Sequence, residues 1–161
     1  MANASFSILG LKGDEIVTDP IQWSLLIDAG HGAVQQIIKN ENRIPEAILL
    51  THHHLDHTLG IDWVIQSFWF KHDKQKKYPV YASALCWEHT VAAYPHLQNM
   101  VELVELTPGK TIKIKEVNGV KVTAYPVCHG PRAFGAMMLV LNFENGKKVI
   151  FTGDCLCPLL N

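Results

Sequence analysis

The hydrophobic pattern changes character part-way along the chain. The front alternates short apolar runs with stretches of helical spacing, whereas the back repeats strand-length runs closed by turns. Ser5 to Gly10 reads as a first strand, followed by a turn at Gly13-Asp14. Gln22-Trp23-Ser24-Leu25-Leu26-Ile27-Asp28 reads as a second, ending at Ala29-Gly30-His31-Gly32, where two glycines suit a tight turn into a helix. That helix would set Val34, Ile37 and Ile38 on an apolar face and break between Asn40 and Pro45. Ala47 to Leu50 is then a buried strand.

Helical spacing returns over Leu59 to Phe70, through Leu59, Trp63, Ser67 and Phe70 with Ile65 and Trp69 alongside. Trp63, Phe68, Trp69 and Phe70 are expected mostly in the core. Lys71 to Lys77 is a charged connector, read as solvated, although Lys71, Lys74, Lys76 and Lys77 are also candidates for phosphate contacts. Tyr78 to Ala82 predicts a strand, and Ser83 caps a helix through Cys86, Trp87 and Val91 that stops near Pro95. From Val101 the pattern predicts strands over Val101 to Leu106, Lys110 to Val117, Val120 to Val127, Ala136 to Phe143 and Lys147 to Phe151. Asn118-Gly119 and Asn145-Gly146 are hairpin signals. The architecture this implies is α/β in front and a β-meander behind, with helices over sheet.

Composition narrows the class without choosing a function. A chain of 161 residues, 48% apolar and 18% charged, is one globular domain with a real core. A net charge of −1 gives no general attraction to nucleic acid or an anionic membrane, though a local basic patch remains open. No apolar run reaches the roughly 20 residues of a membrane span. Met1 to Gly10 lacks a basic leader region and reads as a strand rather than a signal peptide. Cys86, Cys128, Cys155 and Cys157 are too few and too scattered for a disulfide scaffold, so a cytoplasmic setting is expected.

The chemistry concentrates in Thr51-His52-His53-His54-Leu55-Asp56-His57, which holds four of the nine histidines. In extended backbone His52 and His54 share a side while His53 points away. Two neutral imidazoles can then meet one divalent metal at about 2.0–2.1 Å. Asp56 and His57 fall where the chain enters the next helix and can address a second position close by; a bare helix cap is the alternative for Asp56. Downstream, His129 follows one strand in Cys128-His129-Gly130-Pro131, and Asp154 follows another in Thr152-Gly153-Asp154. Each alone is ordinary loop chemistry, but beside the cluster each becomes a candidate ligand. Cys155-x-Cys157, with only two thiols, is expected to be core, and His31 to serve a turn or face an anion.

His52-x-His54-x-Asp56-His57, then His129, then Thr152-Gly153-Asp154 resembles the metallo-β-lactamase superfamily across the whole chain. The resemblance implies an αββα sandwich, here its N-terminal portion: a mixed sheet with helices on one face. It also implies a two-metal hydrolytic site. His52, His54 and His129 would hold one ion, Asp56 and His57 the other, and Asp154 would bridge them. Zinc is the implied metal, manganese or iron the alternatives. Leu26-Ile27-Asp28-Ala29-Gly30, the long helix after Asp56, and His129 followed by Phe134-Gly135 are similar to ribonuclease Z and related phosphodiesterases. Cys128-His129-Gly130-Pro131-Arg132 departs from the Gly-His-Thr-Pro-Gly signature usual in glyoxalase II and other thioester hydrolases.

The expected activity is therefore phosphodiester hydrolysis by a metal-bridging hydroxide, with Asp56 orienting the water or accepting its proton and Arg132 a candidate anion contact. Nucleic acid is a possible substrate. Thioester, lactone or β-lactam hydrolysis is the enzymatic alternative. The superfamily draws a last histidine for its second metal from C-terminal residues, and none of His31, His72, His89 or His96 is well placed to replace it. The sequence thus predicts a single domain over 1–161 that is C-terminally incomplete. It would be completed by a missing half or a second copy, with a non-catalytic half-domain as the third reading.

Overall fold

A computed structural model describes residues 5–12 and 20–158. The turn expected at Gly13-Asp14 lies outside them. Two sheets face each other, and one carries helices on its outer side. The first has the order β1 (Phe6–Leu11), β2 (Ile21–Ile27), β3 (Ala47–Leu49), β4 (Tyr78–Ala82) and β5 (Val101–Glu105). β2 through β5 run parallel, while β1 joins the edge antiparallel to β2. Parallel neighbours need crossovers, which α1 (Ala33–Asn40), the pair α2 (Leu55–Thr58) and α3 (Ile61–Lys71), and α4 (Ala84–Ala93) supply. The second sheet is built on the antiparallel run β7 (Val120–Cys128), β8 (Met137–Phe143) and β9 (Lys148–Phe151). β6 (Thr111–Lys113) and the short β10 (Cys157–Pro158) both pair with β7.

The uniformly apolar strands follow from this layering. Side chains alternate across a sheet, so Leu25, Ile27, Leu49 and Tyr81 face the second sheet and pack on Val120, Val122, Ala124, Leu139 and Leu141. Leu26, Ile48, Leu50 and Val80 face the helices and meet Ile37, Ile61, Val64, Ile65 and Cys86. A strand covered on both sides has no polar face to display. Each such side chain contributes roughly 1.5–3 kcal/mol by leaving water. The β-meander expected behind the α/β front forms this second, facing sheet, as the αββα resemblance implies.

Three local expectations are corrected. The strand expected over Lys110 to Val117 stops at Lys113, because Ile114 and Val117 both turn inward and the chain reverses through a turn in which Gly119 has φ 77°. The helix expected over Leu59 to Phe70 is present as α3, set off from the separate turn of α2 by Gly60, where a Cβ would lie 2.9 Å from the Gly30 carbonyl. Its buried stripe is Ile61, Val64 and Ile65 with Phe68 against it, so Trp63, at 68% exposure, and Phe70 face solvent instead of the core. Ile38 of α1 is likewise exposed. Ser83 does cap α4, its hydroxyl accepting from the Cys86 amide. Among the described residues no helix is long and apolar enough to cross a membrane.

Candidate metal centre

The candidate residues gather at one rim of the sandwich, each just beyond the end of a strand. β3 ends at Leu49 and delivers Thr51 to His54, β7 ends at Cys128 and delivers His129, and β9 ends at Phe151 and delivers Asp154. α2 carries Asp56 and His57. The sheets are tied together beside the cluster, where the Met137 amide donates to the Thr51 carbonyl. Gly153, at φ 57°, runs so close to Thr51 that a Cβ would meet its hydroxyl at 3.0 Å. α2 is held from the other side, since the Ala29 amide donates to the His57 carbonyl and the Gly60 amide to the Ala29 carbonyl.

Among the described residues two groups bring their ligand atoms within 4.8 Å of one another: His52, His54 and His129, and His52, His57 and Asp154. His129 Nε2 lies 3.1 Å from His54 Nδ1. Asp154 reaches toward both positions, with Oδ1 3.3 Å from His57 Nε2 and Oδ2 3.6 Å from His129 Nε2. Asp56 belongs to neither group, yet its Oδ2 is 3.9 Å from His57 Nε2. His53 stays outside, its ring stacked on His89 at 4.6 Å. Cys155 is part-buried and joins neither group.

Asp28 organises the cluster, and sequence reasoning gave it no role in the site. It sits at φ 55°, immediately after β2, and is buried. Its Oδ1 accepts from the Thr51 amide, and its Oδ2 accepts from the Thr51 hydroxyl, each at 2.7 Å. Its Oδ2 also lies 2.8 Å from His57 Nδ1. A threonine hydroxyl has one proton. With that proton on Asp28, Thr51 Oγ1 accepts from His52 Nδ1 at 3.1 Å. Both histidines thus carry their proton on Nδ1 and turn a lone pair on Nε2 inward. The readable signal was an acidic residue at the end of an otherwise apolar strand, a place where a buried carboxylate needs partners.

Those two Nε2 atoms are buried and make no hydrogen bond. Such orphans are rare and costly unless something coordinates them. A divalent ion fits: neutral imidazoles with a carboxylate alongside are a zinc-type donor set, and each ring is oriented by a partner on its other nitrogen. The electrostatics agree for His52. Burial, with His57, His129 and His54 close by, pushes the His52 pKa down to about 2, so the ring is a neutral ligand. Burial also disfavours charge on His57, but Asp28, Asp154 and Asp56 outweigh it and hold its pKa above the ordinary histidine value. Burial raises the Asp28 carboxyl against the pull of its His57 and Thr51 hydrogen bonds.

A family model for the beta-lactamase superfamily domain matches residues 24–157. The chain belongs to that superfamily. Ribonuclease Z of Methanosarcina mazei is 32% identical over 119 residues, 70% of this chain and 36% of the relative. The hydroxyacylglutathione hydrolase of Citrobacter koseri is 49% identical over only 45 residues, 27% of this chain and 18% of the relative. The crystal structure of the short form of human tRNase Z superposes with a TM-score of 0.63 at 16% identity, covering 85% of this chain and 60% of that one. The chain spans about a third of the length of the ribonuclease Z it matches. These likenesses agree with the metallo-β-lactamase fold and the ribonuclease Z branch of it, and with a metal-dependent hydrolase.

Proposed function

We propose that the rim cluster is a two-metal centre for phosphodiester hydrolysis, and that zinc is its metal. The pair of buried Nε2 atoms on His52 and His57 that make no hydrogen bond carries this reading, because they converge with Asp154 and are backed by Asp28, directly for His57 and through Thr51 for His52. His52, His54 and His129 would hold one ion. His57 and Asp56 would hold the second, with Asp154 shared between the positions. When bound, such ions supply a nucleophilic water near neutral pH and offset charge on the substrate oxygens.

The chain's own residues do the rest. Thr51 and Asp28 fix the two imidazoles in the ligating tautomer. Asp56, with its side chain half exposed, is free to orient the attacking water or take its proton. Arg132 is exposed in the loop after His129, where it can meet an anionic ester. The ribonuclease Z likeness supports a phosphodiester, nucleic acid included, as substrate.

A thioester is the second reading, favoured by the short hydroxyacylglutathione hydrolase match over 45 residues. Titrating chelator-treated protein with zinc or manganese, then assaying a bis-aryl phosphodiester in parallel with a thioester, tests both. Two equivalents of tightly bound metal and preferential phosphodiester turnover are expected. A chain that takes up no stoichiometric metal overturns the centre, and thioester turnover alone overturns the substrate class.

A further inference from the structure

A row of aromatic rings leads away from the ligand cluster. His54 meets His53 edge-on at 5.3 Å between ring centroids. His53 stacks on His89 of α4 at 4.6 Å with 23° between planes, and His89 stacks on Phe134 at 5.0 Å with 14° between planes. The last ring is half exposed, at 50%. One of its faces is thus backed by two near-parallel imidazoles, and what remains accessible is a flat aromatic surface three ring contacts from His54.

The surface is fixed in place. Gly135, at φ 69°, offers its carbonyl to the Ser83 hydroxyl at 2.7 Å, and that same hydroxyl caps α4. A Cβ on Gly135 would fall 2.4 Å from Ser83 Oγ and 2.9 Å from the Cys86 amide nitrogen, so only glycine permits this approach. The loop bearing Phe134 is therefore bolted to the start of the helix bearing His89. Core packing does not call for a half-exposed phenyl stacked on a helix histidine in a loop tied to that helix. A ring-shaped ligand does, since π-faces prefer flat, preorganised partners.

We infer that Phe134, backed by His89 and His53, is a stacking platform for a planar aromatic group carried by the phosphate ester, such as a nucleobase next to the phosphate that the centre binds. This rests on the phosphodiester reading. Base–aromatic stacking is worth about tenfold or more in affinity per base.

The test is calorimetric titration of the zinc-loaded chain with AMP, phenyl phosphate and ribose 5-phosphate. The expected result is about tenfold tighter binding of at least one ring-bearing compound than of ribose 5-phosphate. AMP above phenyl phosphate identifies a nucleobase, and the reverse a small aryl ester. In Phe134→Leu that preference should fall to about one, and in Phe134→Trp it should persist. Equal binding of all three compounds by the wild type, or a preference unchanged in Phe134→Leu, overturns the platform alone. Failure of all three to bind removes the phosphate-binding reading itself, and the platform with it.

Discussion

The two sides of the candidate centre are built differently. On the nitrogen side, His52 and His57 are buried and oriented by Thr51 and Asp28, so their ring orientations are fixed before anything binds. On the oxygen side, Asp56 and Asp154 keep 44% and 46% of their side chains exposed. Preorganisation lies with the residues that contact the parallel sheet; the carboxylates stay adaptable. Substitutions should therefore act on folding on one side and on binding on the other.

The largest effect is expected at Asp28. Asp28→Ala strips the acceptor from the Thr51 amide, the Thr51 hydroxyl and His57 at once. Breaking a buried charge pair costs about 3–5 kcal/mol, which urea denaturation of metal-free protein would read. Asp28→Asn keeps the shape and tolerates the positive φ, so it should fold but bind zinc about 10–100-fold more weakly. A fully stable Asp28→Ala protein would erase the distinction between the two sides.

Asp154→Asn should leave the melt nearly unchanged while weakening both metal equivalents in competition with a chromophoric chelator, because its oxygens lie near both His57 and His129. Asp56→Asn, close only to His57, should weaken one equivalent. If the two variants proved indistinguishable, the shared position of Asp154 would be wrong.

How much of this was readable beforehand follows the same divide. The ligand candidates were legible because His52-x-His54 in extended backbone and carboxylates after strands are local patterns. Strands β2, β3, β4 and β7 were legible from apolar runs. Asp28 was not, since its role depends on Thr51 and His57, 23 and 29 residues away. The apolar face of α3 is ambiguous in the sequence for a related reason. Helical spacing fits both the Trp63 and the Ile65 stripe, and only packing against Leu26, Ile48 and Leu50 selects the second. The short β6 fails as an eight-residue strand because Ile114 and Val117 bury within a turn, outside any strand periodicity.

The nitrogen side also predicts a pH signature for the metal-free protein. His52 resists protonation in the fold, with a pKa lowered from 6.5 to about 2, but takes up a proton when unfolded. Stability should fall as pH drops below 6.5, since the unfolded chain then binds more protons. His57 works oppositely. Its pKa is raised, so its contribution is complete below 6.5 and is lost as pH rises through the higher folded value. Thermal melts with chelator present should therefore peak near pH 6.5. His52→Asn should flatten the slope between about pH 5 and 6.5, below which ordinary carboxylates take over. An unchanged slope would mean that His52 is not held neutral.

The smallest effect on metal should come from His53, although it sits between two candidate ligands. Its ring lies outside both ligand groups and its stacking partner is His89. His53→Ala should hold zinc within about twofold of wild type, a difference under 0.5 kcal/mol, the usual range for changes away from a site's contacts. Its removal takes the backing from His89 and leaves the Phe134 ring supported on one imidazole only. A selective loss of ring preference with zinc binding intact would therefore separate the platform from the centre. Loss of zinc in His53→Ala would instead make the ring a prop for His54, which it meets edge-on at 5.3 Å.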